Sequence, residues 1–173
     1  MFNKGHELRN LWTPRSIFSS FLVLILCSSA SLAIAPTPLP VISMQTLDGS
    51  PVSTSSWNLK GKSLLIYVRA DCRSCSALLQ SLNKKDYPQL AAHVSIIVAD
   101  LSPTGAKALQ QLYPDLSSAT WYVDSSNATA AALKLQGAPV IFGLKDNIVQ
   151  WALSGVMSDP AQQKSILNTW YEK

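Results

Sequence analysis

The hydrophobic pattern falls into short blocks of two kinds. Ser63–Ala70 ("SLLIYVRA") and Val94–Asp100 ("VSIIVAD") are nearly continuous apolar, β-rich runs, as expected for central strands covered on both faces. Ala119–Asp124 ("ATWYVD") is a shorter run of the same type. Between them the spacing becomes helical. "SALLQSLNKK" carries apolar residues at Ala77, Leu78, Leu79 and Leu82, and Thr104–Tyr113 reads as a second helix. Asn127–Gln136 is an Ala-rich third helix, ended by Gly137. "PVIFGL" and "IVQWALSG" flank Lys145-Asp146-Asn147 and predict an antiparallel hairpin. A last helix follows, with Asp159 as N-cap, Pro160 in the first turn, and Ile166, Leu167 and Trp170 on its core face. Ahead of all this, "VISMQTLDGSPVSTSSW" holds two extended runs around Asp48-Gly49, and "LKGK" is a polar link. Strands alternating with helices, then a hairpin and a helix, predict an α/β sandwich with a mixed sheet.

The first forty residues follow another logic. Residues 1–16 are basic, Ile17–Cys27 is apolar, and small residues follow: the order of a secretory signal. Cleavage is expected after Ala33, which gives a signal peptide over 1–33. The alternative is an uncleaved anchor, since Ile17–Ala35 is long enough to cross a bilayer. Cys27 is a poor lipidation site, because the bulky Leu26 precedes it. Either way the domain is exported, with the bacterial periplasm as the expected compartment. Residues 34–40, with "PTPLP", are expected to form a stiff lead-in outside a domain spanning 41–173.

Composition adds limits. At 47% hydrophobic and 14% charged residues, the chain is not of the disordered class. The net charge of +4 falls to +2 without the first fifteen residues, which hold three basic groups and one acid. No basic run with interleaved aromatics occurs, so nucleic-acid binding is not supported.

The chemistry concentrates in "DCRSCS", residues 71–76. Once a signal is removed, Cys72 and Cys75 are the remaining cysteines. Three readings compete. Structural zinc needs four ligands, and the mature chain adds only His93 to this pair. A structural bridge over so short a loop gains little from loop entropy. A reactive dithiol fits the position, at the carboxyl end of a central strand and the start of a helix. There the helix N-terminus favours a thiolate, lowering its pKa from about 8.5 to roughly 3.5–7.5 at such sites. Cys72 would be the exposed nucleophile, and Cys75, one turn on, would resolve the mixed disulfide. Arg73 should favour the thiolate, and Asp71 should oppose it. Gly137-Ala138-Pro139-Val140 lies between a helix and a strand. Pro139 has no N–H for a ladder, whereas Ala138 can offer main-chain groups to an extended peptide. From the residues alone this is a turn, with the Ala138–Pro139 bond open to either isomer.

The order of strand, C-x-x-C, helix and a late Gly-x-Pro before a hairpin resembles the thioredoxin-like superfamily. "TLDGSPVSTSSWNLKGKSLLIYVRADCRSC" is similar to the TlpA-type, redoxin-like exported thiol–disulfide oxidoreductases, and the likeness covers roughly Val41 to Lys173. It implies a three-layer sandwich: a mixed central sheet flanked by helices, with an N-terminal β extension. It also implies Cys72 as attacking cysteine, Cys75 as resolving cysteine, and Pro139 as a cis-proline facing them. Ala138 would then tune potential and partner binding. The chain departs from the family pattern at several points. Asp71 stands where Trp is usual, and Arg73-Ser74 where a Pro-containing pair is common. Ile66 stands where the thioredoxin branch buries an acid, and Ala138 where Thr is frequent. The peroxidase relatives fit less well, since "YVRADC" lacks the Pro and Thr that cradle a peroxide.

Two functions follow as expectations. One is an exported thiol–disulfide oxidoreductase without a cofactor, acting as a monomer on client proteins that carry thiols or disulfides. It would be served by a redox partner protein, membrane-bound or not. The other is a non-catalytic binding module of this fold in an envelope assembly, its cysteines structural. His93 is expected at the surface and Tyr67 in packing. Trp57, Trp121, Trp151 and Trp170 are expected as core or rim aromatics. Asn127-Ala128-Thr129 matches a glycosylation sequon, a pattern common by chance.

Overall fold

The computed structural model describes residues 36–83, 85–87 and 93–172. The export segment expected over residues 1–33 lies outside them. Eight strands form one sheet: β1 (Thr37–Pro38), β2 (Ser43–Thr46), β3 (Pro51–Ser53), β4 (Lys62–Arg69), β5 (Val94–Ala99), β6 (Thr120–Asp124), β7 (Val140–Lys145) and β8 (Ile148–Ser154). Their spatial order is β1-β8-β7-β4-β5-β6-β2-β3. β5 pairs in parallel with both β4 and β6, and the other pairings are antiparallel. The helices are α1 (Arg73–Ser81), α2 (Pro103–Gln111), α3 (Ala128–Ala132) and α4 (Pro160–Glu172). This is a mixed sheet flanked by helices, a thioredoxin-like α/β sandwich with an added N-terminal strand.

The two apolar runs are central because both of their faces are covered. Along β4, alternate residues serve opposite layers. Leu64, Ile66 and Val68 pack with Leu78 and Leu79 of α1 and Leu167 of α4. Leu65 and Tyr67 pack with Trp57, Ile97 and Phe142 on the other face, where Leu133 and Leu135 close over them. Each such fully buried aliphatic side chain contributes about 1.5–3 kcal/mol relative to exposure.

The Asp48-Gly49 turn forms the β2–β3 hairpin, with Gly49 at φ 86°. Asp159 caps α4 by accepting from the Ala161 N–H at 2.9 Å, and Leu167 is buried while Ile166 and Trp170 are partly so. On α1 the buried residues are Cys75, Leu78 and Leu79, while Ala77, expected on the core face, is exposed.

Two segments depart from expectation. Thr37–Pro38 is not a detached lead-in: it pairs with Val149 and Ile148 of β8, and Leu39 N–H donates to the Asn147 carbonyl at 2.9 Å. β8 otherwise has an open edge, and a proline-bearing strand covers it without offering a new row of donors. The third helix stops at Ala132 instead of reaching Gln136. Leu133 and Leu135 both pack on the sheet, and residues two apart cannot share one helix face. The chain therefore unwinds, and Lys134, not Gly137, takes the left-handed conformation at φ 53°.

Candidate functional site

β4 ends at Arg69, and Ala70-Asp71 turns the chain into α1. Cys72 is the N-cap, in extended conformation at φ −105° and ψ 104°. Its carbonyl accepts from the N–H groups of Cys75 and Ser76 at 3.0 and 3.1 Å. Its Sγ accepts from the Cys75 N–H at 3.1 Å, as a Ser or Asp oxygen would in an ordinary cap. The helix thus directs a main-chain donor and its positive end at this one sulfur.

Cys72 and Cys75 are disulfide-bonded, with Cα atoms 5.1 Å apart. Cys75 is buried at 1% exposure, inside the cluster of Leu78 and Ile66. Cys72 is only half-buried, so of the two cysteines it is the more exposed to solvent. Ser74 Oγ lies 3.2 Å from Cys72 Sγ. From across the fold, the Ala138 carbonyl oxygen stands 3.6 Å from the same sulfur.

Ala138 reaches this position through the start of β7. The Ala138–Pro139 peptide is cis, and Pro139 is buried. The Pro139 carbonyl accepts from the Gly155 N–H at 2.8 Å, which ties the turn after β8 to this proline. Gly155 has φ 82°, a conformation that suits a residue without Cβ. These segments line a cleft of about 560 Å³, with Leu135, Gly137, Ala138, Pro139, Ser154 and Gly155 in its wall.

The charges flanking the pair do not touch it. Asp71 is highly exposed, 3.9 Å from Arg69 Nε, while Arg69 makes its closer pair with Asp100 at 2.8 Å. Surface pairs of this kind contribute about 0–1 kcal/mol. Arg73 is exposed on the first turn of α1. Among the described residues no group of three or more His, Cys, Asp or Glu side chains is placed to hold a metal ion. His93 is exposed.

Several supporting residues escape a reading of the sequence. Asp124, 1% exposed at the end of β6, accepts from the N–H groups of Ala128 and Thr129 at 2.9 and 2.6 Å. It caps α3 in place of Asn127, whose backbone is left-handed and whose side chain makes no cap bond. Asn127 Oδ1 instead accepts from the Tyr67 hydroxyl at 2.8 Å. Burial raises the Tyr67 phenol above its ordinary range, helped by the charges of Asp100 and Asp124. Of these, only the acid before the Ala-rich stretch leaves a sequence signal, since a carboxylate just ahead of a helix is a usual cap.

No protein-family model matches the chain, and no curated protein sequence matches it. Solved structures do. A secreted Mycobacterium tuberculosis disulfide oxidoreductase homologous to E. coli DsbE superposes with a TM-score of 0.60 at 15% identity, covering 73% of this chain and 94% of that one. A thiol:disulfide interchange protein of the thioredoxin family from Chlorobium tepidum gives 0.55 at 18% identity, over 78% and 96%. A peroxiredoxin-like protein from Aquifex aeolicus gives 0.58 at 13% identity, over 79% and 85%. At these identities the likeness is one of fold: a thioredoxin-like α/β sandwich is what the structures share with this protein.

Proposed function

We propose that the protein is an exported thiol–disulfide oxidoreductase that exchanges disulfides with cysteines of client proteins. The observation that carries this reading is the asymmetry of the Cys72–Cys75 disulfide. One sulfur is reachable and capped by a helix N-terminus, and the other is buried behind it.

In the oxidising direction, a client thiolate attacks Cys72 Sγ. A bond forms between client sulfur and Cys72, the Cys72–Cys75 bond breaks, and Cys75 leaves as a thiolate that takes up a proton. A second client thiolate then attacks the client sulfur and expels Cys72. The client gains a disulfide, and the pair has accepted two electrons. Reduction of a client runs the same steps backward, with the Cys72 thiolate as attacker. In both directions Cys72 carries negative charge when free, and the Cys75 N–H and Ser74 hydroxyl are the donors nearest to it. The cleft beside Ala138 and Pro139 offers main-chain groups for an extended client segment. Arg73 and Asp71 would act only as charges at the rim.

Export is supported by the basic, apolar and small-residue order of the first 33 residues, with the periplasm as compartment. Among the described residues no helix is long and apolar enough to cross a membrane. The reading is tested with the purified chain and a reduced or oxidised client. Exchange with glutathione and a mixed disulfide trapped on Cys72 by Cys75→Ser are expected. Full biological function in a Cys72→Ser/Cys75→Ser variant would overturn it in favour of a non-catalytic binding module.

A further inference from the structure

A second recess lies at the opposite end of the sheet. β4 begins at Lys62 and β7 ends at Lys145, whereas their other ends lead to Cys72 and Pro139. The seven steps from Lys62 to Arg69 span about 23 Å of strand, so the recess and the disulfide are well separated. Lys62 and Lys145 are directly opposite in the β4–β7 register. Residues so paired project from the same face, and like charges there repel. Among the described residues neither lysine has a carboxylate within ion-pair distance.

The walls behind these lysines are aromatic. Trp151 pairs with Gly143, and a Cβ on that glycine would overlap the indole. The missing side chain is what lets the Trp151 ring lie across β7. Trp170 of α4 meets Trp151 edge to face, with centroids 5.6 Å apart and planes at 87°. The Lys62 ammonium stands 5.3 Å from the Trp170 ring centroid, a cation–π distance. Gln150, Ser165, Ile166 and Thr169 also line this cavity of about 520 Å³, and among the described residues no acidic one does. That volume suits a small organic ligand.

We propose that this recess binds a small organic anion consisting of a flat ring bearing a carboxylate. The ring packs into the corner of the two indoles, and the carboxylate lies between Lys62 and Lys145, offsetting their repulsion. The site is independent of the disulfide chemistry, and neither stands or falls with the other.

The test uses the full chain and three measurements by calorimetry, with the tryptophan indole N–H signals followed by NMR. 2-Naphthoate is expected to bind saturably, one per chain, and to shift the Trp151 and Trp170 signals. The neutral isostere 2-naphthamide should bind at least about tenfold more weakly. Lys62→Gln/Lys145→Gln should reduce naphthoate binding to the level of the amide and leave amide binding unchanged, with thiol–disulfide exchange unaffected. Equal affinity for acid and amide in the unaltered protein would overturn the proposal. So would unchanged naphthoate binding in the double variant, or no saturable binding up to about 10 mM. The comparison of acid with amide needs no variant and decides the matter even if the substitutions disturb folding.

Discussion

The Sγ of Cys72 and the carbonyl oxygen of Ala138 are 66 residues apart in sequence and 3.6 Å apart in space. One belongs to a helix cap after β4, and the other to the turn that opens β7. Strand pairing between β4 and β7, with Tyr67 opposite Val140, brings both to the same rim. The sulfur thus stands between two opposed groups. The Cys75 N–H favours a thiolate, and the carbonyl favours a protonated thiol that can donate to it.

The first prediction concerns that balance. Ser74 Oγ is a third group on the sulfur, at 3.2 Å. As a donor to the thiolate it is worth about 1 kcal/mol. Ser74→Ala is expected to slow attack by Cys72 by about fivefold near neutral pH and to move the thiolate absorbance titration upward. An unchanged titration would show that the hydroxyl points elsewhere in the reduced protein.

The two sulfurs should differ sharply in reactivity. After reduction, a limiting amount of iodoacetamide is expected to label Cys72 in large excess over Cys75, read by peptide mass spectrometry, because Cys75 is 1% exposed. Cys72→Ser should reduce exchange to background, whereas Cys75→Ser should accumulate a mixed disulfide with the client.

Asp124 is expected to matter for stability without touching the sulfurs. Asp124→Ala leaves the N–H groups of Ala128 and Thr129 without their acceptor and should cost about 1–2 kcal/mol in urea unfolding. Asp124→Asn keeps one acceptor oxygen and should cost less.

Gly143 and Trp151 should be coupled. Gly143→Ala forces the indole to move and is expected to destabilise by about 1–3 kcal/mol. In a Trp151→Ala background the same change should cost far less, a non-additivity that a double-mutant cycle in urea would read directly.

Alkaline pH should weaken the fold. Burial raises the phenols of Tyr67, Tyr87, Tyr122 and, most strongly, Tyr171 above the ordinary value of 10.0. A group whose folded pKa is raised contributes stability that is present below its unfolded pKa and lost as pH rises toward the folded one. Unfolding free energy should therefore fall above about pH 10. Tyr171→Phe should flatten that fall. It should cost little at pH 7, since the Tyr171 hydroxyl is buried and has no partner among the described residues.

Much of this was legible in the sequence, for identifiable reasons. Ser63–Ala70 and Val94–Asp100 announce central strands because a strand covered on both faces has no polar alternation to confuse the reading. The Cys72–Cys75 spacing marks the candidate site, but spacing alone leaves zinc, a structural bridge and a reactive pair as readings; the strand before it and the late Gly-Ala-Pro narrow them. What stayed hidden depends on tertiary context. Nothing local says that Thr37–Pro38 will cover the edge of β8, since that pairing is made across more than a hundred residues. The early end of α3 follows from where Leu133 and Leu135 must go, and a ten-residue window of good helix formers does not reveal it. The recess at Lys62 and Lys145 is invisible until register sets two lysines and a glycine–tryptophan pair side by side.

The bare position at Gly143 has a use beyond this molecule. It provides a criterion for sorting other chains of the same architecture by alignment alone. Those with glycine facing tryptophan in the hairpin, and a basic residue at each lip, should have the same indole-floored hollow. Those with any larger residue there should carry the indole elsewhere, because a Cβ at that position overlaps the ring.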